Sequence, residues 1–384
     1  MPPASLDRLQ GPVLIVAAIG VIATVIGAFL EPSQFFRSYL VAFTLWFSVA
    51  GGCLAIDMVH RMSHGKWGVL LRRPLEAGSR TLPYVAILFI PLLFGLKDLY
   101  VWARPQAVAS TPLLQHQQPY LNVPFFVIRW VLYFLILSFL AYRLAQLSRK
   151  QDATKDWALD HKMQVLSAPG LIVYSFLVSF AGVDWFMSIH PSFYSTIFGF
   201  YFIIGQAVTG LAFIVIVMAY LNDSEPIRSL VTLENFHDWG KLLLAFTMVW
   251  AYFVVSQLII IWSGNLPEEI SFYLDRTRGN WYLLAIFLAF IHFFIPFALL
   301  LSRDLKRKPR KLAWIAALLF VADFFDLYWL TAPEFDHHLT FHWLDLATVV
   351  GVGGVWLWLY LWQLKKRPIV AVGSRAFEEA LAND

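Results

Sequence analysis

Asp323 and Asp326 stand three residues apart inside the apolar run FVADFFDLYW, and His292 lies inside another, shortly before Pro296. Asp57 and His60 close a third run and Asp184 nears the end of a fourth, while Arg129 enters a fifth. Glu268 and Glu269 follow the turn Ser263-Gly264-Asn265, where the run VVSQLIIIW stops. A charged side chain at the centre of a bilayer costs at least ~2.5–3.5 kcal/mol on insertion scales, so such groups turn toward a protein interior. Two carboxylates spaced i, i+3 share one helix face. The chemistry open to such a set is proton transfer. The residues predict a relay from Asp57 through His292, Asp323 and Asp326 to Asp184, with Glu268 and Glu269 as an outer exit or a docking contact for a partner. The same side chains suit a buried polar knot that fixes helix packing, or a cation or substrate site. At Ser263-Gly264-Asn265 a helix cap followed by solvated acids is the simpler reading, since Gly264 can stop a helix and Pro267 blocks its continuation.

The elements that must position these groups are membrane spans. Of 384 residues, 59% are hydrophobic and only 14% charged, where soluble domains carry roughly 25% charge. Ten stretches have the ~20-residue length that a ~30 Å hydrocarbon core requires. They run over 12–30, 36–60, 81–100, 124–147, 167–188, 193–220, 240–263, 281–302, 312–331 and 343–363. The chain reads as one polytopic all-α membrane domain, with residues 364–384 as a tail. MPPASLDRLQ lacks the basic start and small-residue cleavage site of a signal peptide, so the first span is expected to be retained. His292 and Asp323 each lie about 11 residues from an end of their spans, roughly 16 Å deep at ~1.5 Å per residue. The short 303–311 connection makes those two spans antiparallel neighbours.

Lys and Arg set orientation. Six of the 29, Arg37, Lys97, Arg104, Arg129, Arg276 and Arg278, fall on one side, and the rest crowd the other, as in SRDLKRKPRK. That asymmetry and the even number of spans place both termini in the cytoplasm. The net charge of +4 is spread through loops and gives no sign of nucleic-acid binding.

Cys53 is the one cysteine. It rules out an intramolecular disulfide, a thiolate-bound iron–sulfur cluster and covalent haem c attachment. A bis-histidine haem needs two ligands at matching depth. His292 is the one central histidine, with His60 and His190 near opposite surfaces. His338 and His342, with Asp336 or Asp345, could chelate a metal, though interface polar groups are the commoner use. No metal site and no catalytic residue is assigned.

Four stretches are familiar together: SAPGLIVYSFLVSFAGVDWFMSIHPSFYSTIFGFYFIIGQ (167–206), KLLLAFTMVWAYFVVSQLIIIWSGNLPEEISFYL (241–274), HFFIPFALLLSRDLKRKPRKL (292–312) and HWLDLATVVGVGG (342–354). WSGNLPEE is the most specific of them. The chain resembles the ActF subunit family of bacterial alternative complex III, the quinol:electron acceptor oxidoreductase, within the polysulfide-reductase-like (NrfD-type) membrane proteins. The match is looser before residue 160.

The resemblance implies two four-helix bundles flanked by extra helices, in a bacterial inner membrane. It implies a complex with a sister NrfD-type subunit, a periplasmic iron–sulfur subunit, c-type cytochrome subunits and small membrane subunits. Haem and iron–sulfur centres are then expected only in those partners, and the sister subunit is the better candidate for quinol oxidation. Whether a quinone binds this chain is left open. The sequence-based expectation is an integral subunit of a quinol:cytochrome c or quinol:oxidase oxidoreductase, contributing a proton route and scaffold. Secondary transport and a purely structural role are the alternatives.

Overall fold

The computed structural model describes residues 4–371 and 373. Most of the expected tail, residue 372 and residues 374–384, lies outside the described residues. Ten helices among the described residues are long and apolar enough to cross a membrane: α1 (Ala4–Leu30), α2 (Pro32–Ser63), α3 (Arg72–Phe94), α4 (Val123–Thr154), α5 (Ala158–Trp185), α6 (Phe198–Leu221), α7 (Leu233–Gly264), α8 (Trp281–Leu301), α9 (Pro309–Thr331) and α10 (Trp343–Lys365). No strand occurs among the described residues. The chain is an all-α, multi-pass membrane protein.

Local sequence explains where these helices start. Pro32 and Pro309 open α2 and α9, where the missing N–H costs nothing. The Asn122 side chain accepts the Phe125 N–H at the start of α4. Thr232 and Asn235 close a reciprocal capping box on α7.

Helices α2 to α5 pack in a ring as one four-helix bundle, and α6 to α9 as a second. The two meet along α2 and α6, whose backbones approach closely because Gly52 faces Gly210. Helix α10 packs on α2, and α1 packs on α10 outside the bundles. Burial follows this plan. The apolar stretch of α2 is 94% buried and that of α1 only 22%. The α1–α10 seam is built from small residues, Gly20 against Gly351 and Ala17 against Gly354, a packing mode suited to lipid.

One boundary differs from expectation in a way that matters. Residues 61–80 read as a basic loop, yet 72–79 are helical and buried. The first turns of α3 can be buried because Arg72 and Arg73 meet Glu76, which neutralises charge that would otherwise need water. The connection from α2 therefore shrinks to 64–71. Helix α3 also ends at Phe94, short of residue 100.

Candidate functional site

Bundle two holds the central acidic pair. Asp326, 5% exposed, accepts the Tyr201 hydroxyl of α6 at 2.5 Å and the Trp250 indole N–H of α7 at 3.2 Å, both on Oδ2. The ring of His292 from α8 stacks on that same indole, with centroids 3.8 Å apart and planes 24° from parallel. Asp323 lies one turn before Asp326 on α9, with Oδ2 buried and unpartnered. Four helices thus each contribute one side of a cluster: Tyr201, Trp250, His292 and the two aspartates. Neither aspartate has a Lys or Arg within ion-pair distance among the described residues.

Helix α8 is distorted where it supplies His292. Residues Ala289–Phe294 form a π segment, in which the Ile295 N–H donates to the Phe290 carbonyl. Pro296 explains it physically. Its ring would clash with the carbonyl four residues back, that of His292, and it has no N–H to give. Widening the preceding turn accommodates the proline. His292 is fully buried, with both ring nitrogens unpartnered.

Asp57 and Asp184 lie in bundle one, each held by an arginine. Asp184 receives Arg129 Nε at 2.8 Å, Arg129 Nη2 at 2.9 Å and the Tyr133 hydroxyl at 2.7 Å. The guanidinium also covers the rings of Tyr120 and Phe125. Asp57 accepts Arg61 Nε at 2.9 Å. Arg61 in turn reaches Glu76, as do Arg72, Arg73 and Arg367, at 2.6–3.3 Å. The structure therefore brings His292, Asp323 and Asp326 together and sets Asp57 and Asp184 apart in ion-pair networks.

The acids of SGNLPEE take a third setting. Asn265, with φ of +46°, caps α7, and Pro267 opens the short helix Pro267–Asp275. Glu268 and Glu269 occupy its first turn, where negative charge complements the helix dipole. Glu268 is exposed and Glu269 half-buried. Nearby, Glu334, in the 3-10 turn Ala332–Glu334 that follows α9, accepts Arg276 at 2.8 Å and meets His190 Nδ1 at 2.8 Å, and His190 Nε2 lies 2.9 Å from the Ser271 hydroxyl. Burial works against the Arg276 charge, while Glu334 supports it. Four charged or polar groups thus pin the turn to the bundle.

At the same end, Asp345 accepts the Ser38 hydroxyl at 2.5 Å and the His342 N–H at 2.8 Å, so it caps α10 and ties it to α2. His60 faces the Gly65 carbonyl at 3.1 Å and the Trp67 ring. Sequence reasoning missed Tyr201, Trp250, Glu76 and the Arg129–Asp184 pairing. Nothing marked one Tyr or Trp among 31 as different. Arg129 and Asp184, though, stand near the same end of adjacent spans, and that matching depth was a usable signal.

No protein-family model matches this sequence, and no curated protein matches it.

Proposed function

We propose that this chain is an integral subunit of a bacterial quinol:electron acceptor oxidoreductase, as the WSGNLPEE segment and its companion stretches suggest, and that it supplies a proton route and scaffold without a redox centre of its own. The observation that carries the proton reading is the contrast between the two bundles. Asp57 and Asp184 are neutralised by arginines in bundle one. In bundle two Asp326 is held by a hydroxyl and an indole N–H, His292 stacks on that indole, and Asp323 is buried beside them, with no Lys or Arg in ion-pair distance of either aspartate among the described residues. A buried acid without a counter-charge is costly as an anion, so it is set to take up and release protons rather than to hold a fixed pair. In this reading the proton path runs through α6 to α9, and the two arginine-held aspartates are its structural flank. Glu268 and Glu269 remain the outer exit or docking contact. Electron-carrying groups belong to partners: c-type cytochromes, an iron–sulfur subunit and a sister membrane subunit. A quinone, as substrate, would need an apolar pocket with one or two hydrogen-bond partners.

The double variant Asp323→Asn/Asp326→Asn tests the proton route in the intact complex. Quinol-driven proton release should fall while quinol oxidation persists. Unchanged proton release per electron would remove the reading. Affinity isolation from gently solubilised membranes tests the subunit assignment. Co-purifying c-type haem, reducible by quinol, is the expected result.

The paired bundles also suit a secondary transporter, because repeated units with a midplane polar site are common there. A transporter would move solute when reconstituted alone, and this subunit would not.

A further inference from the structure

The acidic cluster opens onto the seam between the bundles. A small cavity of about 10 Å³ is lined by Ser48 from α2, Tyr201, Gly205 and Gln206 from α6, and Asp323 and Asp326 from α9. Two fully buried polar atoms border it without a partner, Gln206 Nε2 and Asp323 Oδ2. Gln206 is fixed at its other end, where Oε1 accepts the Tyr174 hydroxyl of α5 at 2.6 Å. Its carboxamide sits in a notch over Gly51, where an added Cβ would stand 2.5 Å from Oε1. Tyr174 on Oε1 leaves the amide N–H groups as donors. Buried donors and acceptors are almost always satisfied, by protein or by ordered water. A cavity of roughly 10–15 Å³ holds one water, given two to four polar partners.

We infer that Gln206 and Asp323 hold one buried water between the two bundles, and that Gln206 is the positioning residue for it. Gln206 Nε2 donates to the water oxygen. The water donates one O–H to Asp323 Oδ2 and the other to the Ser48 hydroxyl. The hydrogen-bonded line Tyr174–Gln206–water–Asp323 then joins bundle one to the acidic cluster. The bonds run this way with Asp323 ionised; with Oδ2 protonated its O–H donates to the water instead, and a proton passing to the water breaks that O–H bond, forms one on the water oxygen and leaves the carboxylate behind. That use of the water rests on the proton reading above, whereas the water site itself does not.

The intact complex, imaged at a resolution that reveals other buried waters, should show density within hydrogen-bond distance of Gln206 Nε2 and Asp323 Oδ2. The infrared carboxyl band of Asp323, protonated or ionised, is identified by its loss in Asp323→Asn. Gln206→Leu should shift that band and remove the density. Gly51→Ala, which pushes on the carboxamide without deleting it, should shift the band less and serves if Gln206→Leu fails to assemble. An empty cavity in such a map, or a band unmoved by either variant, overturns the proposal. A shifted band with unchanged proton release keeps the water site and removes its part in proton transfer.

Discussion

Trp250 does two things with one ring. Its N–H donates to Asp326 and its face carries His292. Trp250→Phe keeps the face and removes the donor, so it should move the carboxyl vibration of Asp326 and leave assembly intact. Tyr201→Phe should move the same band further, because it deletes the shorter bond. Infrared difference spectra of the purified variants check both, and equal spectra would separate Asp326 from these donors. Arg129 poses the opposite case, a charge that needs its partner. Arg129→Met strands Asp184 inside bundle one and should cost ~3–5 kcal/mol, the usual result of breaking a buried ion pair. Replacing both partners, Arg129→Met with Asp184→Leu, should recover much of that. Thermal unfolding in detergent measures each.

Among the elements, the π segment of α8 sets where His292 points. Deleting Phe293 together with Pro296→Ala would let this turn close to regular α geometry, leaving both flanks in register and turning His292 within it. His292 should then leave the Trp250 ring, with loss of proton release and near-normal helix content by circular dichroism. The seam of α1 and α10 depends on glycines in the same way. A Cβ added at Gly351 would stand 2.7 Å from the Thr24 hydroxyl and 2.8 Å from the Gly20 carbonyl oxygen, so Gly351→Leu should part α1 from α10 and lower the unfolding temperature in detergent. The ten helices were legible in the sequence because a lipid solvent demands long apolar runs. The buried start of α3 was not. Arg72 and Arg73 look like loop cations until Glu76 is seen between them. Depth alone set His292, Asp323 and Asp326 on neighbouring helices at one level, but Trp250, which stands between His292 and Asp326, and the donors to Asp326 depend on side-chain packing that no periodicity encodes.

At the scale of the whole molecule, alternate helix ends must face opposite sides. Single cysteines placed at Ser263 and at Arg310, in a Cys53→Ala background, should label from opposite faces of intact cells, with Ser263 reachable from outside. Labelling of both from one side would undo the arrangement of spans between them. The outermost helix adds a consequence for how the chain is made. Thr24 of α1 reaches the Ala347 carbonyl of α10 across 323 residues of sequence. A ribosome delivers α1 to the bilayer long before α10 exists, so its glycine face first meets lipid alone. It is also the most apolar of the ten spans, with a mean hydropathy of 2.8. Such a composition lets a helix insert without help and wait in the membrane until the partner that completes its seam arrives.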